Sequence, residues 1–218
     1  MKENTNHRLL GFAFFLQAVT SLVAGAILLD ALIVEGNIID TLANIASHSL
    51  QWCFGILLET ITAMGIIFLG VMLHEYLKAH NPKMARLGLS LYIFEGTLLA
   101  VSRLLGYTLI NLSQEALVNG FAAHTLSLGA MALDFMQFGF LVHMLPFSIG
   151  AFLFYLLLDR SRILPRWVTL WGIITVGFTG LLTILTLIGF EVPFFLYLPY
   201  APFEFVVGIW LMVKKYKK

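Results

Sequence analysis

Long stretches of Leu, Ile, Phe, Val and Ala alternate along the chain with short polar joints. A helix needs about 20 apolar residues to cross the hydrocarbon core of a bilayer, and six stretches reach that length. A continuous run in lipid must satisfy every backbone N–H and C=O within itself, which a helix does. The pattern therefore predicts an all-α, polytopic integral membrane protein. It places six transmembrane helices in a single domain over 1–218, at about 9–33, 50–76, 83–111, 132–158, 166–190 and 196–214. Asn81-Pro82 reads as cap and first residue of the third helix, and Pro165 opens the fifth. Two segments fit less simply. Residues 113–134 are too polar to span well and too apolar for a free loop, so they read as an interfacial helix or an outward extension of the fourth helix. Pro193, Pro199 and Pro202 precede or open the sixth helix. An interior proline removes a hydrogen bond and clashes with the preceding turn, so its regular part is expected to begin near Pro202.

Charge adds a direction to this picture. The chain is 60% hydrophobic and 11% charged, against about 25% charged in a soluble domain. Of 13 Lys and Arg residues, 12 lie before the first helix, in the second-to-third and fourth-to-fifth joints, or in the tail Lys214–Lys218. The other joints carry Glu35, Asp40, Glu115 and Glu191 and no Lys or Arg. By the positive-inside rule both termini are cytoplasmic. Trp167 and Trp171 fall at the level of an inner-interface aromatic belt. Ala24-Gly25-Ala26 loosely resembles a signal cleavage site, but the run over 9–29 is long and more spans follow, so it reads as a retained helix. The lone Cys53 excludes a disulfide within the chain and reads as a small buried hydrophobe.

Arg103 is the base that breaks the charge pattern, and it shares the third helix with Glu95. Ionisable groups inside a bilayer need a partner, a watery cavity or a function. Helical rise places Glu95, Glu204 and Gln17 about 12–14 Å from the cytoplasmic end, and Glu59, His143 and Arg103 about 21–24 Å from it. Glu59 and Arg103, on helices joined by a short connection, are expected to form an ion pair; the alternative is that Arg103 snorkels to the headgroups. Glu95 and Glu204 can approach only with a shared proton, a metal or a cationic solute between them, or each is separately hydrogen-bonded. Glu204 also suits the first turn of the sixth helix, where an acid complements the helix dipole. Tyr92, Ser102, Gly88 and Gly106 lie on or near the Glu95 stripe, so that face looks inward. His143, beside Pro146, reads as a hydrogen-bonded structural histidine or a proton relay. The binding candidates are thus Glu95, Glu204, Gln17, Glu59, Arg103 and His143. No catalytic residue, metal ligand set or cofactor is expected: His74-Glu75 lacks the second histidine of a zinc-protease motif, the histidines do not match in depth for a haem, and no phosphate loop or nucleophile elbow occurs.

Three stretches carry a resemblance: Arg8-Leu9-Leu10-Gly11, SRILPRWVTLWG over 161–172 and PFEFVVGIWLMVKKY over 202–216. Together they resemble the bacterial membrane family catalogued as domain-of-unknown-function 4386, over nearly the whole chain. The resemblance implies about six helices and a bacterial cytoplasmic membrane. It brings no activity and no catalytic residues. The expected function is binding or transport of a small cationic or amphipathic solute through an intramembrane polar cavity. The alternatives are a structural or regulatory membrane subunit and an integral-membrane enzyme acting on lipid, the enzyme reading being the weakest. The expected partners are the lipid bilayer, a small-molecule ligand and a second copy of the chain, since six helices are few for a transporter; nucleic acid is not expected.

Overall fold

The computed structural model describes residues 2–214, with side chains from His7 onward. Lys215, Lys217 and Lys218 of the basic tail, and the side chain of Lys2, lie outside the described residues. Every regular element among the described residues is helical, and six stretches are long and apolar enough to cross a membrane. In chain order the α-helices are α1 (Lys2–Leu22), α2 (Ile38–Ser47), α3 (Ser49–Leu77), α4 (Pro82–Val118), α5 (Ala123–Ser161), α6 (Arg166–Leu187) and α7 (Ala201–Val213).

The first span is not one regular helix. α1 passes into a π-helical turn at Val23–Leu29 and a 3-10 turn at Asp30–Leu32 before the chain extends at Ile33. The Asp30 N–H reaches back to the carbonyl of Gly25, five residues earlier, which is the π-type bond. The joint after it holds a helix that the polar composition of 33–49 concealed. Asn37 caps α2, its side chain accepting from the Asp40 N–H at 3.1 Å, and Thr41, Leu42, Ile45 and Ala46 form its buried face.

Residues 113–134 are not a separate helix: they comprise the end of α4, a turn and the start of α5, which is the outward extension expected of the fourth span. α4 runs on to Val118 and α5 begins at Ala123, with Gly120 and Phe121 both at positive φ between them. Pro146 sits inside α5, which continues through it. A 3-10 turn at Phe194–Tyr197 absorbs Pro193, and α7 starts at Ala201 with Pro202 in its first turn, where a missing N–H costs nothing.

The chain divides into two compact units whose boundaries fall inside α1, α3, α4 and α5. Unit 1 comprises residues 1–19, 64–96 and 141–218; unit 2 comprises 20–63 and 97–140.

Unit 2 is organised around an apolar core of Leu29, Leu32, Leu42, Ile45, Trp52, Ile56, Leu109 and Met136. Trp52 is fully buried, and its indole N–H donates to the Gly106 carbonyl at 2.7 Å. Gly106 and Gly139 leave room for Ile56 and Ser102 respectively, so α3 and α5 each approach α4 closely.

In unit 1, α1 and α7 meet at a pair of glycines. A Cβ on Gly11 would lie 2.7 Å from the Gly208 carbonyl oxygen, and one on Gly208 would lie 3.0 Å from the Gly11 oxygen. Aromatic rings fill the rest: Tyr92 packs edge-on to Phe154, Tyr155 against Phe203, and Trp171 edge-on to Phe203. Trp171 therefore has a packing role besides its expected place at an interface, and its N–H donates to the Pro199 carbonyl at 3.0 Å.

Candidate functional site

The intramembrane polar residues gather in two places, one in each unit. In unit 2, Glu59 from α3 and Arg103 from α4 are both buried, at 1% and 5% exposure. Arg103 Nε lies 3.6 Å from Glu59 Oε2. That spacing is an ion pair but exceeds a hydrogen bond. Arg103 is thus paired rather than snorkelled. Its Nη1 donates to the Met136 carbonyl at 3.3 Å, and its guanidinium stands 5.3 Å from the centre of the Phe140 ring. Both Glu59 oxygens and Arg103 Nε are left without a hydrogen-bond partner.

A cavity of about 130 Å³ opens beside this pair, lined by Glu59, Arg103, Gly25, Asp30, Gln137 and Phe140 among others. The π turn delivers Gly25 and Asp30 to it: a Cβ on Gly25 would lie 3.7 Å from Glu59 Oε1. Asp30 and Gln137 are exposed whereas Glu59 and Arg103 are buried, so the cavity has a rim and a floor. A second cavity of about 420 Å³, lined by the 33–38 loop and by Ala130, Leu133, Asp134 and Gln137, shares Ile33 and Gln137 with the first. Two acidic groups, Asp30 and Glu59, thus face one guanidinium.

In unit 1, Glu95 from α4, Glu204 from the first turn of α7 and Gln17 from α1 come together. Glu95 and Glu204 are close enough to interact electrostatically, and Gln17 hydrogen-bonds Glu204. Three phenols complete the cluster. Tyr200 donates to Glu204 Oε1 at 2.8 Å, and the Tyr155 and Tyr200 hydroxyls are 2.6 Å apart. The Tyr92 hydroxyl adjoins Tyr155 and both carboxyls but makes no hydrogen bond of ordinary geometry, and Glu95 Oε2 has no partner either.

The structure brings together Glu59 with Arg103, and Glu95 with Glu204 and Gln17, as their depths along the helices predict. His143, expected at the depth of Glu59 and Arg103, is buried in unit 1, is held by contacts of its own, and does not line the Glu59 cavity. Ser102 turns its hydroxyl to the Leu99 carbonyl of its own helix. Asp30, Gln137, Tyr155 and Tyr200 were missed. Asp30 sits just past the first apolar run, Gln137 is the only amide in the fourth, and Tyr200 precedes Glu204 by one helical turn. Those spacings were available signals. Tyr155 offered none, because a tyrosine in an apolar run more often packs than bonds.

Among the described residues no three or more His, Cys, Asp or Glu side chains group as metal ligands. Neither the curated proteins nor the solved structures give a match to the chain. A family model does match, over residues 9–214, and by that match the chain belongs to the family described as Domain of unknown function (DUF4386).

Proposed function

We propose that the protein binds a small cationic or amphipathic solute in the unit 2 cavity and carries it across the membrane. One observation carries this reading: Glu59 is buried, and both its oxygens lack a hydrogen bond beside a cavity of about 130 Å³. A buried carboxylate whose oxygens accept no hydrogen bond is costly, and a single guanidinium, Arg103, faces two acidic groups. A cationic headgroup entering between Asp30 and Glu59 balances the set. The volume fits about four waters, or one ammonium with a methyl or two. The amphipathic option has its own support. The same π turn contributes Ile27 and Leu28 to an apolar groove of about 740 Å³ with Phe54 and Leu57, where a tail could lie. Broken helices that present backbone and charge to a polar site are a recurring transporter device.

The reading extends to placement. With the basic joints inside, both termini are cytoplasmic, the bilayer is the bacterial cytoplasmic membrane, and the Asp30 rim faces outward. A homodimer would supply the size that six helices lack. Reporter fusions at each joint test the orientation.

The solute test is flux and binding of a graded alkylammonium series in proteoliposomes. Methylammonium-sized ions are expected to bind, with at least a tenfold loss in Glu59→Gln and Asp30→Asn. If no member of the series binds, or both variants match the wild type, the reading fails. The Glu59–Arg103 pair also favours a second reading, a structural or regulatory subunit, in which those substitutions lower stability and leave no solute-dependent readout to lose.

A further inference from the structure

The unit 1 cluster has a different chemistry from the cavity just described. We propose that Glu95 and Glu204 together form a proton-binding site, wired to the Tyr200 and Tyr155 hydroxyls.

Direction comes first. A phenol has one proton to donate. With Glu204 a carboxylate, Tyr200 donates to its Oε1 at 2.8 Å, and the 2.6 Å contact between Tyr155 and Tyr200 is then donated by Tyr155. The chain therefore points from Tyr155 to Tyr200 to Glu204. It has a second setting. With a proton on Glu204, that carboxyl donates to Tyr200 and Tyr200 donates to Tyr155, so every bond in the chain reverses. The Tyr155 hydroxyl then needs a new acceptor, and the buried Tyr92 hydroxyl adjoins it. No covalent bond other than O–H is made or broken, and the charge of the pair changes by one.

The two carboxyls are not equivalent. Glu204 receives hydrogen bonds from Tyr200 and Gln17, which suit a carboxylate. Glu95 Oε2 receives none while only 2% of the residue is exposed. Glu95 is therefore the resting seat of the proton and Glu204 the resting carboxylate. From α1, α4, α5 and the start of α7, the groups facing the pair are Gln17, Tyr92, Tyr155 and Tyr200.

Close packing fixes the rings around the pair. A Cβ on Gly70 would lie 2.8 Å from the Tyr92 side chain, and one on Gly150 would lie 2.9 Å from it. Phe203 is packed equally tightly over Gly172 and against Tyr155 and Tyr200. These contacts hold the two rings in place, and a proton needs no added space beside them.

Infrared spectra of the full chain in nanodiscs, across the pH range where it stays folded, test the proposal without any solute, so the cavity reading can fail separately. The wild type is expected to show the C=O band of a buried protonated carboxyl, lost in Glu95→Gln. In Glu204→Gln the pH at which the band disappears should move by about one unit or more, as for coupled groups. Tyr200→Phe keeps the ring and should shift the band frequency. That variant decides the matter if the Glu variants do not fold. A band that survives Glu95→Gln, or is indifferent to Tyr200→Phe, overturns the proposal. So does loss of the band when sodium or potassium replaces a bulky organic cation, which would assign the site to a metal cation.

Discussion

The two polar centres meet the same problem, an acid among apolar side chains, by opposite means. In unit 2 the solution is charge against charge: Glu59 has Arg103 at 3.6 Å, a cavity beside it and no hydrogen bond to either oxygen. In unit 1 phenols and an amide do the work, with Tyr200 at 2.8 Å and Gln17 on Glu204. The difference teaches which substitutions should matter. A charge pair fails when one charge is removed, because the other is left buried and alone. A hydroxyl network loses one modest bond at a time.

The sharpest test of that contrast is Arg103→Gln, expected to lower unfolding stability by about 3–5 kcal/mol, measured by denaturation in detergent. Adding Glu59→Gln should restore most of the loss. A double variant as unstable as the single would mean that the pair is not the unit of stability. Next comes Gly172→Ala, whose methyl meets the Phe203 ring; overpacking of this kind costs about 1–3 kcal/mol, and an unchanged melting temperature would mean unit 1 yields more than its contacts imply. Tyr200→Phe removes a hydrogen bond to the Glu204 carboxylate and an acceptor for Tyr155, and should cost about 1.5 kcal/mol. Glu204→Gln, which keeps shape and an acceptor, should cost less than about 1 kcal/mol on the same grounds. If that last variant were as damaging as Arg103→Gln, the two centres would differ in composition but not in principle.

Much of this was legible beforehand. Six spans, the Pro202 start of the last helix and the Glu59–Arg103 pair follow from apolar length, proline chemistry and the cost of a lone charge in lipid, all of which act locally or through a short joint. The register of Glu95, Glu204 and Gln17 also emerged, because helical rise turns residue number into depth. Features set by one helix lying against another did not emerge. The π turn that carries Asp30 to Glu59 has no signature in the sequence AILLD, and α2 was hidden by Asn37, Asp40 and Thr41, polar residues that serve its cap. Tyr155 reads as a packing residue until Tyr200 is found 2.6 Å from its hydroxyl.

The sequence alone determined that this chain is helical, that six of its segments are built for lipid, and which acids and base lie inside them. The reason is that a bilayer allows few solutions, and composition alone reports when a segment has met its terms. Only the tertiary structure decided that Asp30 joins Glu59 and Arg103, that their centre is a cavity with acids at rim and floor, and that Tyr155 and Tyr200 link to Glu204 in the other. Partner, distance and enclosed volume depend on how helices rotate and approach, and no single helix carries that information.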